Sequence, residues 1–242
     1  LLEQKTYKEI VQLWRHFPLD SSGHISDDIG MSDMAILNHL LDTRSEILSE
    51  IHSSGQQLGP QNFQTLSCVE LESVTKTHEM PCIPPSGCMW LRSSKPIPRF
   101  IKISSVSDIE GHENISFVEW TKAKIKFNSR HKGNRDKKYY TIRDSGEGSY
   151  IYILNDDFLK VVSVSAVFED PRLAREFPGC ERDLTKIICN PWDTPFKVDA
   201  GLRNKILKSA WQILPALRGS TISDTDNNSL DDTVKYRRND SI

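Results

Sequence analysis

The hydrophobic period of this chain changes twice, and that double change constrains its fold more than any other feature. Apolar residues recur at helical spacing near both ends and at strand spacing in between. Residues 3–17 carry Ile10, Val11, Leu13, Trp14 and Phe17 on one stripe, which Pro18 ends. After a polar loop, Asp20 to Asp28, Ser32 is suited to cap a second helix, with Asp33 just inside to favour its dipole. That helix is expected to run to about His52 and to stop at Gly55. Leu37, Leu40, Leu41, Leu48 and Ile51 make its apolar face; Asn38, Asp42, Ser45 and Ser49 make a small polar one. Towards the other end, Asp199 is placed to cap a last helix with the stripe Leu202, Ile206, Ala210, Ile213 and Leu214. Pro215 is expected to bend or end it.

Between these ends the pattern is that of strands. Candidates are 63–74, 88–91, 97–106, 115–120, 139–142, 150–154 and 159–168, with a Pro-rich link from Pro81 to Pro85. Asp144-Ser-Gly-Glu-Gly148 reads as a hairpin turn between the fifth and sixth. Pro171 is expected to close the β section, before an irregular stretch containing Pro178, Pro191 and Pro195. Helices first, strands next and a helix last predict an α+β fold. A helical unit drawn from both chain ends would carry an inserted antiparallel β sandwich or barrel and an extended C-terminal arm. The expected divisions are 1–58 (N-terminal helices), 59–171 (β domain), 172–218 (loop and helix packing back on the first helices) and 219–242 (arm).

With 242 residues, 37% of them hydrophobic, the chain can bury a core without disulfide or metal staples. No stretch approaches the roughly 18 consecutive apolar residues of a membrane span, and no basic-then-apolar leader is visible. Five cysteines cannot all pair within one chain, and reduced thiols are expected. The net charge of -2 argues against a global electrostatic grip on nucleic acid.

Motifs for catalysis are missing: there is no G-x-S-x-G, H-E-x-x-H or P-loop. Gly146-Glu-Gly148 lacks the third glycine of a dinucleotide fingerprint, and the seven histidines are scattered. Cys68, His78, Cys82 and Cys88 could in principle close a tetrahedral zinc site. No C-x2-C pair exists, however, and Cys68 sits in an apparent strand, so buried small hydrophobes and loop thiols are the plainer reading. Cys180 and Cys189 read as parts of a packed loop rather than a redox pair. Asp224, Asp226 and Asn228 imitate a calcium loop, but Ser229 and Lys235 stand where it needs glycine and glutamate. No cofactor and no metal are expected.

Two segments stand out instead. From Trp120 to Arg143 the chain holds Lys122, Lys124, Lys126, Arg130, Lys132, Arg135, Lys137, Lys138 and Arg143 against one acid, Asp136. On a strand, Lys122, Lys124 and Lys126 would share a face. Such a face is a solvated hairpin, a contact for an acidic protein, or a contact for DNA phosphates. The second segment is the arm. Residues 219–242 hold only Ile222, Leu230, Val234, Tyr236 and Ile242 as sizeable apolar groups. Ordering each residue costs roughly 1–2 kcal/mol, so the arm needs an outside partner, for which a neighbouring subunit is the natural candidate. It could add a strand to a sheet edge, with Asp224, Asp226, Asp231 and Asp232 meeting cations such as those of 120–143.

Several segments in order carry a family resemblance. They are the helix from Ser32 to Leu48, Leu58-Gly-Pro-Gln-Asn-Phe-Gln-Thr-Leu-Ser-Cys-Val-Glu-Leu-Glu72, Leu91-Arg-Ser-Ser-Lys-Pro-Ile-Pro98, and Tyr139-Tyr140 followed by Tyr150-Ile-Tyr-Ile153. Val167-Phe-Glu-Asp-Pro171 with Cys180, and the last helix with the tail Asp224-Thr-Asp-Asn-Asn228, complete the series. Across roughly Ser26 to Asp232 the chain resembles the head–tail connector and ring (adaptor) proteins of crAss-like short-tailed bacteriophages. The resemblance implies a non-enzymatic virion part of the neck or tail, made in the host cytoplasm. Copies would form a ring, usually twelve-fold in such proteins, that continues the DNA channel below the portal. The implied partners are other copies of the chain, the portal protein, adjacent tail or ring proteins and DNA in the channel, with no membrane. The competing expectation is a nucleic-acid-binding module using residues 120–143.

Overall fold

The computed structural model describes residues 4–16, 31–74, 90–111, 113–123, 137–146, 148–154, 156, 158–177 and 190–217, the side chains of 213–217 excepted. The first helix, α1, is Tyr7–Arg15. Thr6 and Glu9 close a reciprocal capping box at its start, each side chain bonded to the other's backbone N–H. The second, α2, is Asp33–Ser53, capped by Ser32 as its sequence predicts. Gly55 follows at φ +77°, a conformation that favours glycine. Arg15 ties the two helices by donating to the Asp33 carboxylate and the Met31 carbonyl.

Seven strands form a closed barrel: β1 Gln64–Ser73, β2 Trp90–Ser93, β3 Phe100–Ser107, β4 Asn114–Phe117, β5 Tyr139–Ser145, β6 Gly148–Leu154 and β7 Val161–Phe168. Their order around it is β1-β2-β6-β5-β4-β3-β7, with β7 returning to β1. The expected choice between sandwich and barrel is thus settled as a barrel, and the fold is α+β. One pairing corrects the antiparallel expectation. β4 runs parallel to β5, with Ser116 opposite Tyr139, while every other pair is antiparallel. Alternate residues fill the interior, among them Leu91, Val106, Ile151, Ile153, Val162, Val164 and Phe168.

Among the described residues the β section ends at Phe168, just before Pro171 as expected, but the chain there opens a short helix, α3, Pro171–Glu176, rather than an irregular stretch. The missing proline N–H is harmless at the first helical position, and the Asp170 side chain caps the Arg172 N–H at 2.8 Å. The last helix, α4, is Ala200–Leu217, and it runs through Pro215 rather than ending there. The Asp199 carbonyl accepts from Leu202 and Arg203. Its carboxylate accepts from the Asn62 amide at 2.5 Å, fastening α4 to the 3-10 turn Pro60–Asn62. Gly59 passes so close to that carboxylate that a Cβ there would collide with it.

α1, α2 and α4 share one core, which includes Tyr7, Ile10, Trp14, Ile36, Leu40, Phe196 and Ile206. The Trp14 and Trp211 rings meet edge to face at 5.1 Å. This helical layer covers the β3–β7 side of the barrel, where Leu48 and Leu58 pack on Val167 with Ile101 and Leu202 alongside. Arg44 locks the two layers. Its side chain is 0% exposed and reaches from α2 to three backbone carbonyls: Lys197 at 2.6 Å, Phe168 at 2.9 Å and Glu169 at 3.4 Å. Burial pulls its guanidinium down to about 10, opposed by Tyr7 and Asp170. Burial likewise pushes the Tyr7 phenol up to about 12.

Candidate assembly surface

The opposite side of the barrel, formed by β2, β6 and β5, is built differently. In Tyr150-Ile-Tyr-Ile-Leu154 the isoleucines enter the barrel, while Tyr150, Tyr152 and Leu154 stand on its outer face. Trp90 and Tyr139 join them there. The parallel pairing of β4 with β5 then dictates what covers this wall. A parallel pair is not joined by a tight hairpin, and the connection that leaves β4 begins at Val118. The start of this connection packs on the wall through Val118, Trp120 and Ala123. The Trp120 ring centroid lies 5.4 Å from those of both Trp90 and Tyr152, each pair edge to face. Arg143 and Arg92 add cation–π contacts, 5.0 Å over Trp120 and 4.8 Å over Tyr150. Glu72 bonds Arg92 at 2.6 Å and holds its guanidinium above the usual value.

The basic segment identified in the sequence, Trp120 to Arg143, begins in this connection and ends inside β5. Residues 120–123 are helical, so the strand alternation expected from Lys122 does not begin there. Lys122 is exposed and pairs with Glu119 at 2.8 Å, a contact worth little between two groups more than half in water. Lys124, Lys126, Arg130, Lys132 and Arg135 lie outside the described residues, and so do all the arm residues, Ile222, Asp224, Asp226, Leu230 and Tyr236 among them. Lys138, at the entry to β5, is held by two carboxylates, Glu113 at 2.6 Å and Asp156 at 2.7 Å. Those bonds, Asp156's first, raise its ammonium above the ordinary lysine value. Burial alone would raise the Asp156 carboxyl. The Lys138 bond and the N–H groups of Phe158 and Leu159 outweigh it and leave the group below the usual range. A count of charge along 120–143 cannot see Glu113 or Asp156, which reach Lys138 from other loops.

Cys68 corrects one expectation: it is disulfide-bonded rather than reduced, and the other four cysteines lie outside the described residues. Of the considered zinc ligands, His78, Cys82 and Cys88 also lie outside them. Among the described residues no group of three or more His, Cys, Asp and Glu side chains is arranged to hold a metal, and no helix is long and apolar enough to cross a membrane. The aromatic platform was legible in principle, because Tyr150 and Tyr152 alternate with isoleucines on a strand. The tryptophans that complete it come from elsewhere in the chain.

Compared with known families, the chain matches the model of phage tail ring protein 2 over residues 20–233, a span that takes in α2, the whole barrel, α3 and α4. No curated protein matches it.

Proposed function

The chain belongs to the phage tail ring protein 2 family of crAss-like phages, and from that premise we propose that it is the repeating unit of a connector ring between portal and tail. A ring protein of this family is a structural, oligomeric part of the virion tail. The finer reading is that copies join head to tail, because only a heterologous contact with a closing rotation makes a ring. Twelve copies would surround the DNA channel, bounded by the portal on one side and a further tail or ring protein on the other. The proposed organisation keeps 1–58 and 172–218 as the helical part, 59–171 as the β domain and 219–242 as the arm.

In this reading Lys122, Lys124, Lys126, Arg130, Lys132 and Arg135 lie at a subunit interface or on the channel wall. An unpaired ammonium in the core would be too costly. Ile222, Asp224, Asp226, Leu230 and Tyr236 belong to an arm laid along an adjacent subunit. The observation that carries the proposal is the family match across residues 20–233. The described start of the basic segment supports it: Val118, Trp120 and Ala123 pack on an outer wall of the barrel and leave Lys122 exposed. Sedimentation and native mass spectrometry of the full chain test the reading. A single high-mass species of fixed copy number is expected; a monomer at every concentration, or a simple two-fold dimer, contradicts it. Truncation after Gly219 should leave the subunit folded and weaken assembly.

A further inference from the structure

The barrel closes unevenly. β1 has ten residues but β2 only four, and β2 pairs with β1 at Leu71, Glu72 and Ser73 alone. The last main-chain bond on that side runs from the Ser94 N–H to the Glu70 carbonyl. Before it, β1 pairs with β7 along one edge, and from Gln64 to Ser67 its other edge has no strand partner among the described residues. Thr65 and Ser67 are exposed there. An open edge of this kind presents main-chain donors and acceptors that an extended chain can pair.

That edge lines a concavity of about 1010 Å³, bounded also by α3 and by Pro191 and Trp192 of the 3-10 turn before α4. Phe63, Leu66, Phe177 and Trp192 give it apolar surface. Tyr7 and Gln64 line it too, and the buried Tyr7 Oη and Gln64 Oε1 have no hydrogen-bond partner among the described residues. One is a donor and the other an acceptor, the pair that a peptide group answers with its own C=O and N–H. The charges nearby balance: Arg172, Arg175 and Lys197 stand against Asp170, Glu176 and Asp193. The site therefore suits a main chain rather than a particular charge.

We propose that Thr233-Val-Lys-Tyr-Arg237 of a neighbouring copy adds a strand along the β1 edge from Gln64 to Ser67. The proposal rests on the ring reading and names the seat of its arm. Val234 and Tyr236 alternate with Thr233, Lys235 and Arg237, a strand pattern with one apolar face. Nowhere else in 219–242 do two sizeable apolar residues stand two positions apart. On the added strand Val234 and Tyr236 meet the apolar wall, and Lys235 and Arg237 stay in water. Reach favours another copy over the chain's own edge. α4 starts beside β1, where Asp199 is fastened to Asn62, and its 18 residues carry the chain about 27 Å away. From Leu217 the chain to Thr233 can extend over roughly 50 Å, enough to meet the edge of the next copy. Arm and edge are different patches, so the contact is heterologous and propagates, as a ring requires.

Amide hydrogen exchange on full-length chains is the test, with native mass spectrometry of the same samples. Lys235→Pro removes a main-chain donor from the middle of the arm strand and changes no residue of the helices or the barrel; circular dichroism checks the fold. In the assembled wild-type chain the amides of 64–67 should be protected. Lys235→Pro should lower that protection roughly 10- to 100-fold while α2 keeps its own. The concentration for half-assembly should rise by a similar factor. A wild-type ring whose 64–67 amides exchange freely overturns the contact alone, and so does a Lys235→Pro ring with unchanged protection there or with unchanged stability. Protection of 64–67 that persists in wild-type monomers obtained by dilution assigns the strand to the chain's own arm and overturns the exchange between copies. A wild-type chain that remains monomeric at every concentration overturns the ring reading and the contact with it.

Discussion

Both outer walls of the barrel are covered by apolar side chains, yet they are held by opposite means. On the β3–β7 side the cover is α2 and α4, and the joint is a charge removed from water. Arg44 is matched to carbonyls of Lys197, Phe168 and Glu169, groups that belong to two separate segments. Breaking any of these bonds leaves a further buried donor or carbonyl unpaired, beyond the Arg44 Nη2 that has no partner already. On the β2–β6–β5 side the cover is the connection after β4, and the joint is Trp120 against Trp90 and Tyr152. Its ion pairs sit at the rim, partly in water. The helical wall is therefore joined by a buried cation, while the aromatic wall is joined by ring contacts with its ion pairs at the edge.

The largest effect is expected from Arg44→Leu. The substitution leaves three carbonyls without their donor, and a loss of about 3–5 kcal/mol follows from breaking a buried polar joint. Chemical denaturation measures it; a loss under about 1 kcal/mol would break the contrast drawn between the walls. Trp120→Ala should cost less, about 2 kcal/mol, because the ring is only part-buried. Hydrogen exchange sharpens the comparison here. Protection should fall at 118–123 and on β6 while α2 keeps its own. Gly59→Ala, on the helical side, drives a methyl into the Asp199 carboxylate and should lose about 1–2 kcal/mol through the displaced Asn62–Asp199 bond. Its signature is a looser start of α4 with the barrel unchanged.

The smallest effect concerns pH at the rim. The Asp156 carboxyl is held below its ordinary value in the folded chain. Its contribution is therefore complete above the unfolded pKa and is lost as pH falls through the folded one. Lys138 is raised, so its contribution is complete below the unfolded lysine pKa and is lost as pH rises through the folded one. Asp156→Asn keeps an oxygen to accept the Phe158 and Leu159 N–H groups but removes the charge. It should flatten the acid limb of the stability profile by no more than about 1 kcal/mol. An unchanged profile would mean the ion pair contributes nothing.

Much of the fold was legible because period is a local property. Each of the seven strands overlaps a run of apolar alternation, and Ser32 marks the start of α2 within a residue. What escaped the sequence is non-local. Four residues of β4 cannot specify the direction of their partner, so the parallel pairing with β5 was hidden. Pro171 marks the close of the β section as read, but the helix it opens was missed, although the Asp-Pro pair 170–171 suits a helix start. Arg44 looks like one more polar residue of α2 until β7 and the segment before α4 are brought against it. Phe158 is 91% exposed and gave no sign of it, since a phenylalanine among strand candidates is ordinarily core. The basic stripe was visible, but the carboxylates that neutralise Lys138 were not.

Cryo-electron microscopy of the assembled phage particle, resolved to side chains at the neck and tail, tests the central claim most directly. Density for this chain should form a closed ring coaxial with the tail, each copy touching the next through two different patches. Density that places the chain away from the tail axis, or as isolated copies and two-fold pairs, would contradict the account.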